Sequence, residues 1–288
     1  RNVLIARSET VATRFNTLYE ELTVQHMGAI NEEMETTVDE INAITQDIAT
    51  LNTKIQVENA VGSEGFPPND LLDQRDLLIK RLSEKLQVSA IDLPDGTVNL
   101  SVGQGITLVT GGVSIPMQIM RDEYDTSKLE IGISADINTP AKSPITGQLA
   151  GGSLAALVDA RDNVIIPALR DLGKIAIGLS DAVNRQQTLG RDMNGNMGTD
   201  LFKDVNDPQV ALGRTLNSTK NPTASEFEVY IRNVEQLSSD EYSMEYDGTN
   251  LNVYDDKKVL IQQFTAADIA AMGAGTQLEV VGTGFSMA

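Results

Sequence analysis

A seven-residue hydrophobic repeat constrains the fold of this chain more than any other feature of its sequence. The repeat is formed by Met34, Ile41, Ile48 and Ile55, with Ile44 and Leu51 three positions after two of them. The spacing predicts one helix from about Asn31 to about Gly62, with a single apolar seam over about eight turns. A helix of this length draws most of its stability from packing partners, so the seam needs a cover. That cover is either an intramolecular bundle, or helices that lie outside this fragment or in a neighbouring subunit.

Two further segments in the first third of the chain have the apolar spacing of amphipathic helices. Residues 7–26 form the first of them. The other follows the loop 61–69, which is rich in glycine and proline, and its apolar stripe ends at Leu86. We expect Asn69 to be the N-cap of this helix, because asparagine accepts hydrogen bonds from the free N–H groups of a first turn.

Another long helical stripe follows Gly151 and Gly152 and extends over about eight turns. Pro167 lies inside this stripe. Proline removes one intrahelical hydrogen bond and its ring clashes with the preceding turn. We therefore expect either a kink near Asn163 or a new helix that starts at Pro167.

Short alternating runs predict two groups of β-strands. Glycine and proline turns separate the runs of the first group, which is typical of a small antiparallel meander: 88–93, 97–102, 106–109, 115–120 and 128–133. The second group follows Asp207, where the pattern becomes β-like, and consists of 227–231, 242–246, 251–254, 259–264 and 278–281. Asp247-Gly248 marks one hairpin, and residues 265–271 are expected to form a short helix that Gly273 caps.

The helical and strand segments are segregated along the chain, which favours the α+β class over a doubly wound parallel sheet. We predict an elongated α-helical bundle or rod, a small β meander inserted into it and a separate β-rich domain. The predicted segments are 1–86 and 149–206 for the two parts of the helical rod, 87–148 for the meander, and 207–288 for the β-rich domain. Because both ends of the chain look cut, we expect that domain to be truncated.

Composition excludes much of enzyme chemistry. The chain has no cysteine and one histidine, so thiol chemistry is impossible and any histidine-based site would depend on His26. With 41 acidic and 22 basic residues the formal net charge is −19, which disfavours nucleic acids and anionic membranes as partners. No run of about 18 apolar residues is present, so we predict no membrane span.

The run from Asp192 to Gly198 is the strongest metal-like pattern. Asp192, Asn194 and Asn196 place oxygen ligands at alternate positions, as a calcium-binding EF-hand loop does. The sixth position is Met197 where that loop needs glycine, and the twelfth is Lys203 where it needs a bidentate glutamate. We therefore favour a tight turn, with calcium binding as the alternative.

Catalytic constellations are also weak in this sequence. Neighbouring acidic residues on a helix point in different directions, and a glycosidase cleft needs aromatic side chains, which make up only 4% of this chain. The glycine-rich turns lack phosphate-loop spacing, and His26 is expected at the solvated end of its helix. We predict no catalytic, cofactor-binding or metal-binding residue, no cofactor, and a protein that is not an enzyme.

Three stretches, taken in order, are similar to the flagellar hook-associated protein 1 family of hook–filament junction proteins. They are Val38–Ile55, with the sequence VDEINAITQDIATLNTKI; Pro68–Leu78, with the sequence PNDLLDQRDLL; and Leu179–Asn184 followed by Asp192–Gly198 and Leu201-Phe202. The second stretch is the most specific. The ordered set extends over nearly the whole chain and is weakest in the two β regions.

This resemblance implies a structural subunit of the bacterial flagellum that joins hook to filament by subunit packing. It further implies a helical domain built from both ends of the polypeptide, with a β-rich domain inserted. The implied partners are hook protein, hook-associated protein 3 and copies of itself in a ring. An export chaperone is expected to bind the C-terminal part beyond Ala288. The implied location is extracellular, after type III export without a cleaved signal peptide. By this comparison the chain is a fragment that lacks both termini.

Two other functions stay open at the level of sequence. The first is an extracellular adhesin-like module that uses residues 207–288, suggested by the distinct composition of that region and by the Asp192–Gly198 run. The second is a carboxylate hydrolase, suggested only by the surplus of acidic side chains. A glycan screen with a calcium titration would test the first. A search for two converging acids in a cleft would test the second.

Overall fold

The computed structural model describes residues 2–61, 68–134, 139–141, 143–221, 227–273 and 276–288. The chain divides into two compact units. One consists of residues 1–22 together with 166–288, and the other of residues 23–165. The segregated helices and antiparallel sheets confirm the α+β class.

Within the described residues the α-helices are α1 (Asn2–Glu20), α2 (Met27–Val61), α3 (Asn69–Lys85), α4 (Gly152–Ala160), α5 (Ile166–Leu189), α6 (Pro208–Leu212) and α7 (Ala266–Gly273). Two π-helical turns, Glu21–His26 and Arg161–Ile165, precede α2 and α5. Thr146–Gln148 and Val234–Gln236 form short 3-10 helices. Among the residues that the structure describes, no helix combines the length and apolar character needed to cross a membrane.

The strands are β1 (Val88–Asp92), β2 (Val98–Val102), β3 (Ile106–Thr110), β4 (Val113–Ser114), β5 (Met117–Arg121), β6 (Leu129–Ile133), β7 (Val229–Ile231), β8 (Ser243–Tyr246), β9 (Leu251–Tyr254), β10 (Leu260–Phe264), β11 (Leu278–Val280) and β12 (Phe285–Met287). All their pairings are antiparallel. The unit of residues 23–165 contains a sheet β1-β2-β3-β4 and a ribbon β5-β6. The other unit contains the sheets β10-β9-β8 and β11-β12-β7.

The hydrophobic seam of α2 lies in the core of the unit 23–165. Met34, Ile41 and Ile48 are completely buried. They belong to a cluster with α3, α4 and the inner faces of β2, β3, β5 and β6. Full burial of each such side chain stabilises the fold by about 1.5–3 kcal/mol. The seam is therefore covered within the chain, and its cover is as much β-sheet as helix.

The unit of residues 1–22 and 166–288 has its own core around the two small sheets. Buried side chains from β7, β9, β10, β11 and β12 form it, and Ile177 of α5 packs against them. Helix α1 contacts α5 in the same unit. Together with α5, the β-rich region thus has a core independent of the one around α2.

Most predicted helices are present, with shifted ends. The first helix begins at Asn2 instead of residue 7, and it passes into the π-helical turn that ends at His26. The break expected near Asn163 is the π-helical turn Arg161–Ile165, and a new helix starts at Ile166, one residue before Pro167. In the loop predicted at 61–69, residues 62–67 lie outside the described residues.

Three sequence predictions were wrong in detail. Asn69 is the first residue of α3 and not its N-cap: the cap residue is Pro68, whose carbonyl accepts from the N–H groups of Leu71 and Leu72. The first regular element after Asp207 is the helix α6, because the Asp207 side chain accepts from the Gln209 N–H and proline occupies the first turn. Strand β12 was not predicted at all.

Candidate functional site

The residues that the sequence offered as candidates for metal binding or catalysis lie in turns or on the surface of the structure. Oδ1 of Asp192 accepts from the backbone N–H groups of Asn194 and Asn196, both at 2.8 Å, and Oδ2 accepts from the Asn196 amide at 3.0 Å. The run 192–198 therefore forms the tight turn that we favoured. Gly103 and Gly105 shape the β2–β3 turn with positive φ, and His26 is exposed.

In the described part of the chain, the surplus of acidic side chains does not form a metal site. Nowhere in the described ranges do three or more His, Cys, Asp or Glu side chains come together in an arrangement suited to a metal ion. Several buried or half-buried polar side chains instead bind the backbone of the chain itself. Four of them lie in the stretches that carry the family resemblance, and they are described next.

Asn52 is the central polar residue of the unit 23–165. It lies on α2 and is completely buried. Its Nδ2 donates to the carbonyls of Val98 at 2.8 Å and Gly111 at 2.7 Å, and its Oδ1 accepts from the Val98 N–H at 3.1 Å. Oδ1 also accepts from Nη1 of Arg75 at 3.2 Å. All four hydrogen-bonding positions of this amide are therefore occupied.

Arg75 connects the second stretch of the family resemblance, Pro68–Leu78, to the first, Val38–Ile55. It lies on α3 within Pro68–Leu78 and is 5% exposed. Besides Asn52, its Nη1 binds the Gly96 carbonyl at 2.6 Å, and its Nη2 lies 3.8 Å from Oδ1 of the exposed Asp92. The most specific sequence of the resemblance therefore holds a buried cation that joins α2, α3 and the β1–β2 turn.

Two more asparagines, like Asn52, bind backbone groups of distant segments through their side-chain amides. The side-chain amide of Asn42, on α2, binds the backbone of Met117 as a neighbouring strand would. It donates to the Met117 carbonyl at 2.9 Å and accepts from the Met117 N–H at 2.8 Å. Asn184 of α5 accepts from the N–H groups of Leu201 and Phe202 and donates to the Phe202 carbonyl, each at 2.9 Å. Asn184 thereby links the separate parts of the third family stretch.

Asp95 occupies the turn next to the Arg75 site. Its Oδ1 accepts from the N–H of Thr97 at 3.0 Å and from the hydroxyl of Thr97 at 2.7 Å, and its Oδ2 accepts from Gln56 at 2.9 Å. The Thr97 hydroxyl is the largest influence that lowers the pKa of Asp95 below the ordinary value of 3.8. These bonds stabilise the ionised carboxylate and thereby the turn.

We expect Thr97→Val to raise the pKa of Asp95, whereas Thr97→Ser, which keeps the hydroxyl, should leave it low. A carboxylate whose pKa is lower in the folded chain stabilises the fold above its unfolded pKa. That stabilisation is lost as the pH falls through the folded pKa, so the acid sensitivity from Asp95 lies below about pH 4. An NMR titration of the carboxyl carbon measures it. An unchanged pKa in Thr97→Val would contradict the assignment.

Comparison with known proteins decides the family. The model of the flagellar hook-associated protein FlgK helical domain matches residues 1–202. The chain belongs to the FlgK family. This match includes the α2, α3 and α5 stretches in which Asn52, Arg75 and Asn184 lie, so the resemblance noted in the sequence is confirmed.

Individual FlgK-family relatives agree. Flagellar hook-associated protein 1 of Salmonella typhimurium is 29% identical over 257 residues, which cover 88% of this chain and 44% of that protein. The protein of the same name from Bacillus subtilis is 28% identical over 225 residues, with 70% and 43% covered. The chain therefore spans about half the length of the FlgK relatives that it matches.

A solved FlgK structure has the same fold. The flagellar hook junction protein FlgK from Burkholderia pseudomallei superimposes with a TM-score of 0.79 at 24% identity. The match covers 98% of this chain and 48% of that one. It therefore includes the β-rich region after residue 202, which the family model does not reach.

Proposed function

We propose that this chain is part of a structural subunit of the bacterial flagellum that joins hook to filament, and that it acts by packing against other subunits and not by catalysis. The match of the FlgK helical-domain model to residues 1–202 carries the proposal. The use of buried polar side chains for internal connections supports it, because these residues stabilise a shape and are not presented to a substrate.

The expected neighbours follow from that place in the flagellum. They are hook protein on one side, hook-associated protein 3 on the other, and copies of the same subunit around a ring. We further propose that the subunit works outside the cell after export without a cleaved signal peptide, and that an export chaperone binds sequence beyond Ala288. The four-segment division at 86, 148 and 206 stays a prediction, since compactness alone does not identify folding units.

Exposed apolar side chains on α1 and α5 are the best candidates for subunit packing. Both helices belong to one compact unit. The residues are Val3, Leu4 and Leu18 on α1, and Ile175, Leu179 and Leu189 on α5. Single exposed apolar residues are common. We select these six because they lie on two helices that contact each other. Because the chain spans about half the length of its FlgK relatives, that surface is proposed as the place where the rest of the assembly packs.

Deletion of the full-length gene in its own bacterium tests the function. We expect cells that keep hooks but lack attached filaments, and that release flagellin into the medium. Electron microscopy and an immunoblot of the culture supernatant measure both outcomes, and the restored wild-type gene is the control. Filaments that stay attached to hooks in the deletion strain would refute the proposal.

The packing surface can be tested in the same strain. The double variant Leu18→Glu with Ile175→Glu in the full-length protein should be produced and secreted but should restore few filaments, because charge opposes burial of these side chains. Val57→Glu is the matched control, since Val57 is also exposed and apolar but lies on α2. Equal filament numbers with the double variant and with the control would contradict the assignment of this surface.

A further inference from the structure

The outer edge of strand β5 is open. In its sheet, β5 pairs with β6, and Ile119 lies opposite Ile131. The Ile131 N–H donates to the hydroxyl of Thr146 at 2.8 Å, and the Ile131 carbonyl accepts from the Ile145 N–H at 2.7 Å. Both groups of Ile131 therefore point away from β5. In an antiparallel ladder such a pair exchanges no hydrogen bonds, so the N–H and C=O of Ile119 point to the outer edge.

The same alternation applies two residues to either side. The backbone N–H and C=O of Met117 also point outward, and both bind the side chain of Asn42. Arg121 lies opposite Leu129, whose carbonyl accepts from Arg161, so the backbone of Arg121 faces outward as well. Within the described residues, no hydrogen bond satisfies the outward groups of Ile119 or Arg121. An edge of this kind is a template for another strand.

A groove runs between this edge and helix α2. Its volume is about 580 Å³, which is enough for a few residues of extended chain. Val38 and Asn42 line it on the helix side and Met117 and Ile119 on the strand side, and Pro140 also contributes to the lining. The groove therefore offers apolar contact beside free backbone hydrogen-bonding groups.

The helix wall of the groove is acidic. Glu35 and Asp39 line it and are both exposed. Helix α2 runs antiparallel to β5, because Asn42 binds Met117 while Asn31, farther back along α2, binds the carbonyl of Ser127 beyond the end of β5. The two carboxylates consequently lie opposite the open stretch of the strand and not opposite its closed end.

We propose that this edge accepts an extended, basic segment of a partner protein, which adds as a strand to β5 and places lysine or arginine side chains against Glu35 and Asp39. The Cβ atoms of two residues one helical turn apart are about 5–6 Å from each other. Side chains two residues apart on a strand lie on the same face with a separation of about 6.6 Å, so alternate cations match this spacing. A second copy is disfavoured as the occupant by the net charge of −19.

A labelled pentapeptide of alternating lysine and valine is the probe, and one of alternating glutamate and valine is its control. We expect the intact chain to bind only the lysine peptide, with slower hydrogen exchange at the amides of Ile119 and Arg121. The double variant Glu35→Gln with Asp39→Asn should weaken binding about tenfold. Glu33→Gln with Glu58→Gln removes two exposed charges of α2 outside the groove lining and should leave the affinity unchanged.

Ile119→Pro tests the backbone part of the proposal. Proline lacks the N–H that faces the partner, so it should abolish peptide binding without removing a β5–β6 hydrogen bond. Circular dichroism checks its fold, and exchange at Arg121 in the wild-type chain gives a second readout if this variant unfolds. Lack of binding at about 1 mM lysine peptide, equal weakening by both double variants, or unchanged exchange at the two amides would each overturn the proposal.

Self-association is a further outcome to separate. If light scattering found a dimer of the chain that Ile119→Pro dissociates, the occupant would be a second copy and the basic partner would be wrong. These measurements use the purified chain and peptides. They can therefore fail while the junction function holds, and they can succeed in a protein with another function.

Discussion

Replacement of Arg161 by alanine is expected to lower the free energy of unfolding by about 3–5 kcal/mol. Arg161 is completely buried in the π-helical turn after α4. Its guanidinium lies 2.8 Å from the carboxylate of Asp162 and 3.8 Å from that of Glu130, and it donates to the Leu129 carbonyl. Alanine would leave the Leu129 carbonyl without this donor and would open a cavity beside Met34. The largely buried Glu130 carboxylate would lose one cation and keep Lys128, which lies 3.3 Å away. Urea denaturation followed by circular dichroism measures the loss.

Two variants separate the roles of charge and shape at Arg161. Arg161→Lys keeps a positive charge but loses the planar fork that reaches several acceptors, so we expect an intermediate loss of stability. Arg81→Ala removes an exposed arginine from α3 and should change stability by no more than about 0.5 kcal/mol. A loss below about 1 kcal/mol for Arg161→Ala would show that this buried cation contributes little to the fold.

The periodicity of the sequence predicted which faces are buried but not what covers them. The seven-residue repeat of α2 correctly identified Met34, Ile41 and Ile48 as core residues. It also suggested a helical bundle, whereas the sheets β1–β4 and β5–β6 contribute much of the cover. A repeat reports the geometry of its own helix, and the partner depends on contacts between residues far apart in sequence.

Short elements were predicted least well, for a related reason. Helix α6 has five residues and strand β12 three, too few to establish a period. All three residues of β12 are buried, because it is the central strand of its sheet. The burial of β12 therefore follows from its central position in the sheet, which the local sequence pattern does not reveal. Only the Asp207-Pro208 pair, a capping residue followed by a helix-starting proline, offered a usable local signal for α6.

The polar residues that connect the fold were also missed. Asn52 follows Leu51 on the seam side of α2, so an amide inside an apolar stripe was the available signal. That signal predicts a buried polar contact but not its partners, since Arg75 and Val98 lie 23 and 46 residues farther along the chain. The family resemblance located the right stretches without giving the role of their residues. The structure supplies that role, which is internal connection.

Asn52→Ala tests that role directly and is expected to lower the free energy of unfolding by about 3 kcal/mol. The substitution removes the partner of the buried N–H and carbonyl of Val98, of one buried N–H of Arg75 and of the half-buried Gly111 carbonyl. Each buried group left without a partner costs about 1–3 kcal/mol. Asn59→Ala is the matched control on the same helix. Asn59 is exposed and makes one 3.2 Å hydrogen bond to the Asp95 carbonyl, so its loss should cost about 0.5 kcal/mol or less.

A double-mutant cycle with Arg75→Ala distinguishes a connected site from two independent ones. If Asn52 and Arg75 act together, the double variant should be less destabilised than the sum of the single variants by about 1–2 kcal/mol. The physical reason is that the guanidinium left unpaired by Asn52→Ala is itself removed in the double variant. Simple additivity would mean that the two residues stabilise α2 and α3 separately, and it would remove the argument that these two family stretches form one structural site.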